Sequence, residues 1–230
     1  GAQWSDWCFV LCRTEPEAPS HQALSYLLVP MRQPGVDIRP IVQLTGTSEF
    51  SEVFYEGART AAQNVVGRRG EGWKVAMGTL AFERGASTLG QQCLFANELE
   101  EVFAVAKRNG KAADPVVRQR LVDAWMGLRV MRFNALRTLG DSQEASLSRA
   151  AMITKIYWAT WHRNLGKLAM DVLGPEGEIA AGAPYELGRL QQMYLFSRAD
   201  TIYAGSNQIQ RNIIGERALG LPREPRAPAK

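Results

Sequence analysis

Histidine and cysteine are scarce in this chain, with two of the first and three of the second in 230 residues. The histidines, His21 and His162, stand alone, one in a loop-like stretch and one in a helical stretch. Cys8, Cys12 and Cys93 are odd in number and lack metal-ligand spacing. A His/Cys/Asp metal cluster or a Ser–His–Asp triad has nothing to be built from, so no metal is expected. Cys8 and Cys12 share one face of a strand, and reduced core thiols are the expected role, suited to a cytoplasmic compartment. Long apolar runs are missing too. No stretch is long enough to span a bilayer and no signal peptide is legible, so the expectation is a soluble cytoplasmic protein. Clusters of basic residues are also lacking. Lys and Arg are scattered and the formal net charge is a modest +4, which suits an anionic small-molecule ligand and argues only weakly for nucleic acid, so no nucleic-acid partner is expected. Internal repeats are absent. The chain opens on Gly1 rather than methionine, close to a strand-like run, which suggests a fragment or a processed form.

What is present is ordinary globular material, 46% hydrophobic and 22% charged, enough for one or two domains. Residues 1–70 read as β. Trp7–Arg13, Leu24–Met31, Val36–Leu44 and Glu49–Glu56 are short runs of branched and aromatic residues, separated by Pro- and Gly-containing turns. Such spacing predicts part of an antiparallel barrel or sandwich. The GRRGEG stretch, Gly67–Gly72, is a hinge into a helical regime. One long helix is expected over Trp73–Lys107. Asp114-Pro115, an N-cap followed by proline, opens a second helix to about Gly140. Its residues Leu121, Trp125, Leu128, Met131, Phe133, Leu136 and Leu139 form an apolar face with arginines opposite. A third helix spans about Ala145–Leu173 and stops at Gly174-Pro175; a fourth covers Tyr185–Arg198 and a fifth Asn207–Leu219. The predicted class is α+β: a partial antiparallel β domain over 1–70, an antiparallel helical bundle over 71–220, and a flexible Pro-rich tail over 221–230.

Three stretches carry possible chemistry. Val75–Asn97 has only one charged pair, Glu83-Arg84, in otherwise apolar or small surroundings. A carboxylate in a buried helix is costly unless it is paired or used. Glu83 is therefore either a chemical group or half of a structural ion pair. Second, Tyr203–Gln208 (YAGSNQ) is a glycine turn leading into a helix. Its N–H groups, the Ser206 hydroxyl and the Gln208 amide suit a phosphate or pyrophosphate; equally, Ser206 as an N-cap needs no ligand. Third, Leu173–Gly177 (LGPEG) lets backbone approach a ligand or a neighbouring subunit, or simply closes a helix.

The order of these parts, WxVAMGTLAFERG, then LGPEG, then IYAGSNQIQRNIIGERALGLP, resembles the acyl-CoA dehydrogenase family from Gly1 to about Pro222. Ile202–Gly220 is similar to that family's IYxGTxxIQR signature, with Ser206-Asn207 for Thr-Ser. The resemblance implies FAD-dependent α,β-dehydrogenation of an acyl-CoA thioester to a 2-enoyl-CoA, with electrons passed to an electron-transfer flavoprotein, in a homo- or hetero-oligomer. The usual base is a glutamate in a YEG triplet, where this chain has Ala204. Isovaleryl- and long-chain-type members carry it on the long helix before an arginine, which matches Glu83 before Arg84. By the same resemblance Arg84, Ala204 and Gly205 contact substrate, the Ala204 main-chain N–H gripping the thioester carbonyl, while Ser206, Gln208, Gly174 and Gly177 contact FAD. The family's Arg-x-x-Phe-Gly segment is absent, replaced by Lys107-Arg108-Asn109-Gly110-Lys111. That departure, with Ala204, also admits a non-catalytic partner subunit; an oxidase-like enzyme is a further alternative. The small residues Gly85, Ala86 and Gly90 would leave room for a branched, long or polycyclic acyl group.

Overall fold

A computed structural model describes residues 1–140, 149–182, 186–223 and 225, and all side chains among them except those of 81–89, 139–140 and 149–150. The chain divides into two compact units, Gly1–Glu83 and Arg84–Lys230. The fold is a mixture of antiparallel sheet and helices.

In the first unit, β1 (Trp7–Arg13), β2 (Leu24–Pro30) and β5 (Val65–Val66) form one antiparallel sheet in the order β1-β2-β5. A hairpin of β3 (Val36–Ile41) and β4 (Phe50–Tyr55) forms another, and neither sheet closes into a barrel. The register pairs Phe9 with Leu28 and Leu11 with Tyr26. Side chains alternate as a strand requires. Trp7, Phe9 and Leu11 lie on the exposed face of β1 while Cys8, Val10 and Cys12 turn to the half-buried one. Cys8 and Cys12 are thus partly sheltered, as their spacing predicts, but Cys93 is exposed and not a core thiol. β3 ends three residues early, because Gln43–Thr47 closes a turn in which the Gln43 N–H donates to the Thr47 carbonyl at 2.9 Å. β5 has only two residues and shows no periodicity in the sequence. Gly67 and Gly70 take left-handed φ values of 78° and 81° at the hinge, a conformation other residues adopt only under strain.

Helix α1 (Gly72–Arg108) begins in the first unit. Its start is tied to β2: the Ser25 hydroxyl accepts from the Gly70 N–H at 3.0 Å, and a Cβ on Gly72 would overlap the Ser25 main chain. Trp73 stacks on His21, centroids 4.4 Å apart.

The second unit holds the rest of α1 with α2 (Pro115–Gly140), α3 (Arg149–Leu173), α4 (Arg189–Ser197) and α5 (Asn207–Ile213). Gly110, at φ 77°, follows the end of α1. Asp114 caps α2, its Oδ1 accepting from the N–H groups of Val116 and Val117 at 2.8 and 3.3 Å. The first residues expected in the third and fourth helices, Ala145 and Tyr185, lie outside the described residues; α4 begins only at Arg189, after Gly188, because Gln191 turns back onto the Gly188 N–H. Beyond α5, Ile214–Ala218 continues as a π-helical turn.

The core of the bundle follows helical spacing: Leu99, Val102 and Ala106 on α1, Val117 and Leu121 on α2, Leu165, Leu168, Ala169 and Val172 on α3, Leu190 and Met193 on α4. The expected single apolar face of α2 splits in two. Leu121 and Met131 are buried and Leu128 half-buried, but Trp125, Phe133 and Leu136 are exposed together with Val122, Met126 and Val130. At about 100° per residue these positions spread too widely for one neighbour to cover. Arg129, expected opposite, reaches both the Trp125 and Phe133 rings, at 5.8 and 5.7 Å. Leu139 lies outside the described side chains.

Two glycines set helix spacing. A Cβ on Gly127 would lie 2.6 Å from Trp161 Cδ1, and one on Gly166 would lie 2.7 Å from Ser197 Oγ and 3.1 Å from Tyr194 Cα. Gly166→Ala must therefore push α3 and α4 apart, at a cost of about 1–3 kcal/mol. Gly90, on α1, faces open space, and Gly90→Ala gains about 1 kcal/mol of helix propensity. Thermal unfolding of the two variants checks this: Gly166→Ala should melt several degrees below the parent, and Gly90→Ala at or slightly above it.

Candidate functional site

Asp200 follows α4 in a short turn and is 1% exposed. Its Oδ2 lies 2.5 Å from His162 Nδ1 on α3, and its Oδ1 accepts from the Tyr203 hydroxyl at 2.7 Å. Lys155 Nζ, one helical stretch earlier on α3, donates to the Asp200 main-chain carbonyl. The other ring nitrogen of His162, Nε2, lies 2.9 Å from Glu98 Oε2 on α1. The ring stacks on Phe95, centroids 4.4 Å apart.

A neutral imidazole has one N–H and can donate in one direction only. With an ionised carboxylate at each nitrogen, both hydrogen bonds form only if the ring carries both protons. Burial pulls its pKa down, but the hydrogen bonds and charges of Asp200 and Glu98 outweigh burial and raise it to about 9. Burial, opposed by Asp200, lowers Lys155. Burial and then Asp200 push the Tyr203 hydroxyl up. The cluster thus balances two carboxylates with an imidazolium and an ammonium.

This cluster adjoins the glycine turn. Ala204 has φ 51°, the one positive value at a non-glycine position among the described residues, and Gly205 has φ 88°. The buried Gln210 donates to the Ala204 carbonyl at 3.3 Å, and a Cβ on Gly205 would sit 2.6 Å from that same nitrogen. Ser206 caps α5, its hydroxyl accepting from the Ile209 N–H at 3.4 Å. Asn207 donates to Thr160 Oγ1 at 3.2 Å, while its buried Oδ1 has no hydrogen-bond donor among the described residues. Ala204, Gly205, Ser206 and Gln208 therefore share one turn, with Ala204 and Gln208 exposed.

Gly174 and Gly177 belong to a second loop with its own anchor. α3 ends at Leu173, and Gly174, at φ 66°, opens a 3-10 turn to Glu178. A side chain on Gly174 would meet nothing within 4 Å, whereas a Cβ on Gly177 would lie 2.8 Å from Met170 Cε. Gly177 is thus small for packing, and Gly174 for its backbone conformation. The buried Gln191 of α4 holds this loop, its Nε2 donating to the carbonyls of Gly177 and Ile179 at 3.0 and 2.8 Å and its Oε1 accepting from the Gly188 N–H at 2.7 Å.

Glu83 and Arg84 lie on α1, but their side chains are outside the described ones. The expectation of a buried helix over Val75–Asn97 needs correction for its described parts. Met77, Gly78, Thr79, Leu80, Gly90 and Leu94 are exposed, while Gln92 and Phe95 are buried. The helix is apolar on more than one face, and its own bundle covers one.

Sequence comparison agrees with this architecture. The family description "Acyl-CoA dehydrogenase, C-terminal domain" matches residues 70–219. The chain belongs to the acyl-CoA dehydrogenase family. It is 56% identical over 223 residues to the acyl-CoA dehydrogenase IpdE1 of Mycobacterium tuberculosis, covering 97% of this chain and 57% of that protein. Among solved structures it is similar to the Tcur3481-Tcur3483 steroid ACAD, with TM-score 0.85 and 29% identity over 97% of this chain and 59% of that one. It is also similar to the ChsE4-ChsE5 complex from Mycobacterium tuberculosis, with TM-score 0.81 and 28% identity over 96% and 59%. The chain thus spans a little over half the length of these three relatives. The family is one of flavoprotein oxidoreductases. Among the described residues no helix is long and apolar enough to cross a membrane, and no His/Cys/Asp/Glu cluster is arranged to hold a metal ion.

Sequence reading missed His162, Asp200, Glu98 and Gln191. Glu98 and His162 are 64 residues apart, and no local pattern signals their meeting. The one available hint was an ionisable residue amid the apolar spacing of α3.

The His162 pKa, about 9 in the folded chain against 6.5 ordinarily, makes stability pH-dependent. A raised folded-state pKa contributes fully below about pH 6.5 and is lost as pH rises through about 9. The melting temperature should therefore fall over that interval. His162→Gln, which can no longer bridge both carboxylates, should flatten the fall and lower stability at pH 7 by about 3 kcal/mol, as denaturant unfolding would measure.

Proposed function

We propose that this chain is the C-terminal part of an acyl-CoA dehydrogenase that removes the α and β hydrogens of an acyl-CoA thioester, with Glu83 as the α-proton base. The observation that carries the reading is Ala204. In a chain of this family its methyl group cannot take a proton, and Glu83, before Arg84 on α1, is the carboxylate available for the task. Residues 1–70 would be the end of the middle β domain, 71–220 the C-terminal bundle and 221–230 a tail.

The family implies FAD, and residues of this chain fit it at two places. Among the described residues the buried Asn207 Oδ1 lacks a donor beside Ser206, and a side chain on Gly174 would meet nothing within 4 Å in the second loop. Ser206 and Gln208 would hold the group from one turn, and Gly174 and Gly177 from the other. When bound, FAD supplies the acceptor for the hydride that leaves the β-carbon. The chain's own residues do the rest. The Ala204 main-chain N–H donates to the thioester carbonyl and so stabilises the negative charge that develops when the α-proton leaves. Gly205 lets the turn approach the substrate, and Arg84 stands beside the base. Electrons would pass to an electron-transfer flavoprotein.

A bulky, polycyclic acyl group is the substrate class we favour. The Tcur3481-Tcur3483 relative is titled a steroid ACAD, and Gly90 leaves open space on α1. A second reading is a partner subunit that completes a neighbour's flavin site. The absent Arg-x-x-Phe-Gly segment favours it, as do the two-component names of the Tcur3481-Tcur3483 and ChsE4-ChsE5 relatives. Flavin retained by the protein purified alone would count against it.

Acyl-CoA-dependent dye reduction by the full-length protein should fall about 100- to 10,000-fold in Glu83→Gln, the range for loss of a general base. Undiminished turnover would remove Glu83 from the mechanism. With the parent protein, polycyclic acyl-CoAs should outperform short straight chains, and a clear short-chain preference would sink the substrate assignment.

A further inference from the structure

We propose that His162, as an imidazolium bridging Glu98 and Asp200, is a positioning residue that fixes the Tyr203–Ser206 turn and, through it, the main-chain donor at Ala204. The functional consequence rests on the reading above; the clamp itself does not.

Left-handed backbone at Ala204 is unfavourable for a residue with a Cβ, so the surroundings must impose it. On one side Gln210 holds the Ala204 carbonyl. On the other, the neighbouring Tyr203 is bonded to Asp200 Oδ1, and Asp200 is fixed at Oδ2 by His162 and at its carbonyl by Lys155. His162 in turn is fixed to α1 through Glu98. A main-chain donor can serve a developing oxyanion only if it is already in place. The chain Glu98–His162–Asp200–Tyr203 supplies that rigidity from two long helices.

Removing one proton from the ring breaks the chain at one end, because a lone pair then faces a carboxylate. Among the described residues, the titratable groups facing the pair are Glu98 from α1, Lys155 from α3, and Arg198, Asp200 and Tyr203 from the segment ending and following α4. The pKa of about 9 places the change in the alkaline range. Glu98→Gln is the informative variant. A neutral imidazole can donate from Nδ1 to Asp200 and accept at Nε2 from the side-chain amide that this substitution introduces, so the geometry survives without the charge.

The test uses the full-length protein, ¹⁵N-labelled at histidine, with the His162 signals assigned by their loss in His162→Gln. Both ring nitrogens should keep imidazolium shifts at pH 8, and titration near pH 6.5 would overturn the proposal. Amide hydrogen exchange over 203–207 at pH 7 should accelerate at least tenfold in His162→Gln and stay within threefold of the parent in Glu98→Gln. Parent-like exchange in His162→Gln would equally overturn it. For turnover, His162→Gln should lower kcat at least tenfold with KM changed less. The parent should lose kcat above about pH 9, and Glu98→Gln should not. Should His162→Gln fail to fold, the parent's His162 ring signals are assigned instead by the shift of the Nε2 resonance in Glu98→Gln, and those shifts with the exchange and alkaline profile of Glu98→Gln still decide. If Glu83→Gln refutes the dehydrogenase reading, the ring shifts and exchange rates decide the clamp without reference to activity.

Discussion

An imidazole between two ionised carboxylates bonds both only when it carries both protons, and two helices and a turn of the second unit meet at that point. His162 is 4% exposed, so its charge would be costly there without partners. The partners come from separate elements: Glu98 from α1, Lys155 from α3 itself, Asp200 and Tyr203 from the turn after α4. Phe95 stacks on the ring, with Trp158 and Ala159 packed close by. Such a network is more directional than apolar packing, since each member accepts one geometry. It ties the stretch between α4 and α5 to α1 and α3.

The loop after α3 shows a different solution to a similar need. A single neutral amide, Gln191, gathers carbonyls that the 3-10 turn leaves unpaired and returns a bond to the start of its own helix. No charge is involved and no pH dependence follows. The two candidate ligand loops are thus anchored by unrelated interactions, one electrostatic and one through hydrogen-bond satisfaction. The small residues within them also divide: Gly205 and Gly174 have left-handed backbone angles, whereas Gly177 lies close against Met170 and Leu173.

Apolar surface is plentiful for a chain of this size. Trp7 and Phe9 on β1, Leu94 on α1, and Val122, Trp125 and Phe133 on α2 are all exposed. The chain spans a little over half the length of its relatives, and faces that read as core in the sequence stand open in the isolated chain. The helical period reports only that a residue is apolar; what covers it is a separate matter.

Local chemistry was legible from the residues alone. Trp7–Arg13 alternates and forms β1, Asp114-Pro115 starts α2, Gly174-Pro175 ends α3, and Ser206 caps α5, because each depends on neighbours within a few positions. The family was legible for the same reason, in the run IYAGSNQIQR and in Glu83-Arg84. Tertiary structure decided the rest. It split the apolar residues of α2 between two faces, and it turned His162 from an isolated histidine into the centre of a charge network. Those outcomes depend on which helices lie side by side, and contacts across 38 or 64 residues leave no trace in any local pattern.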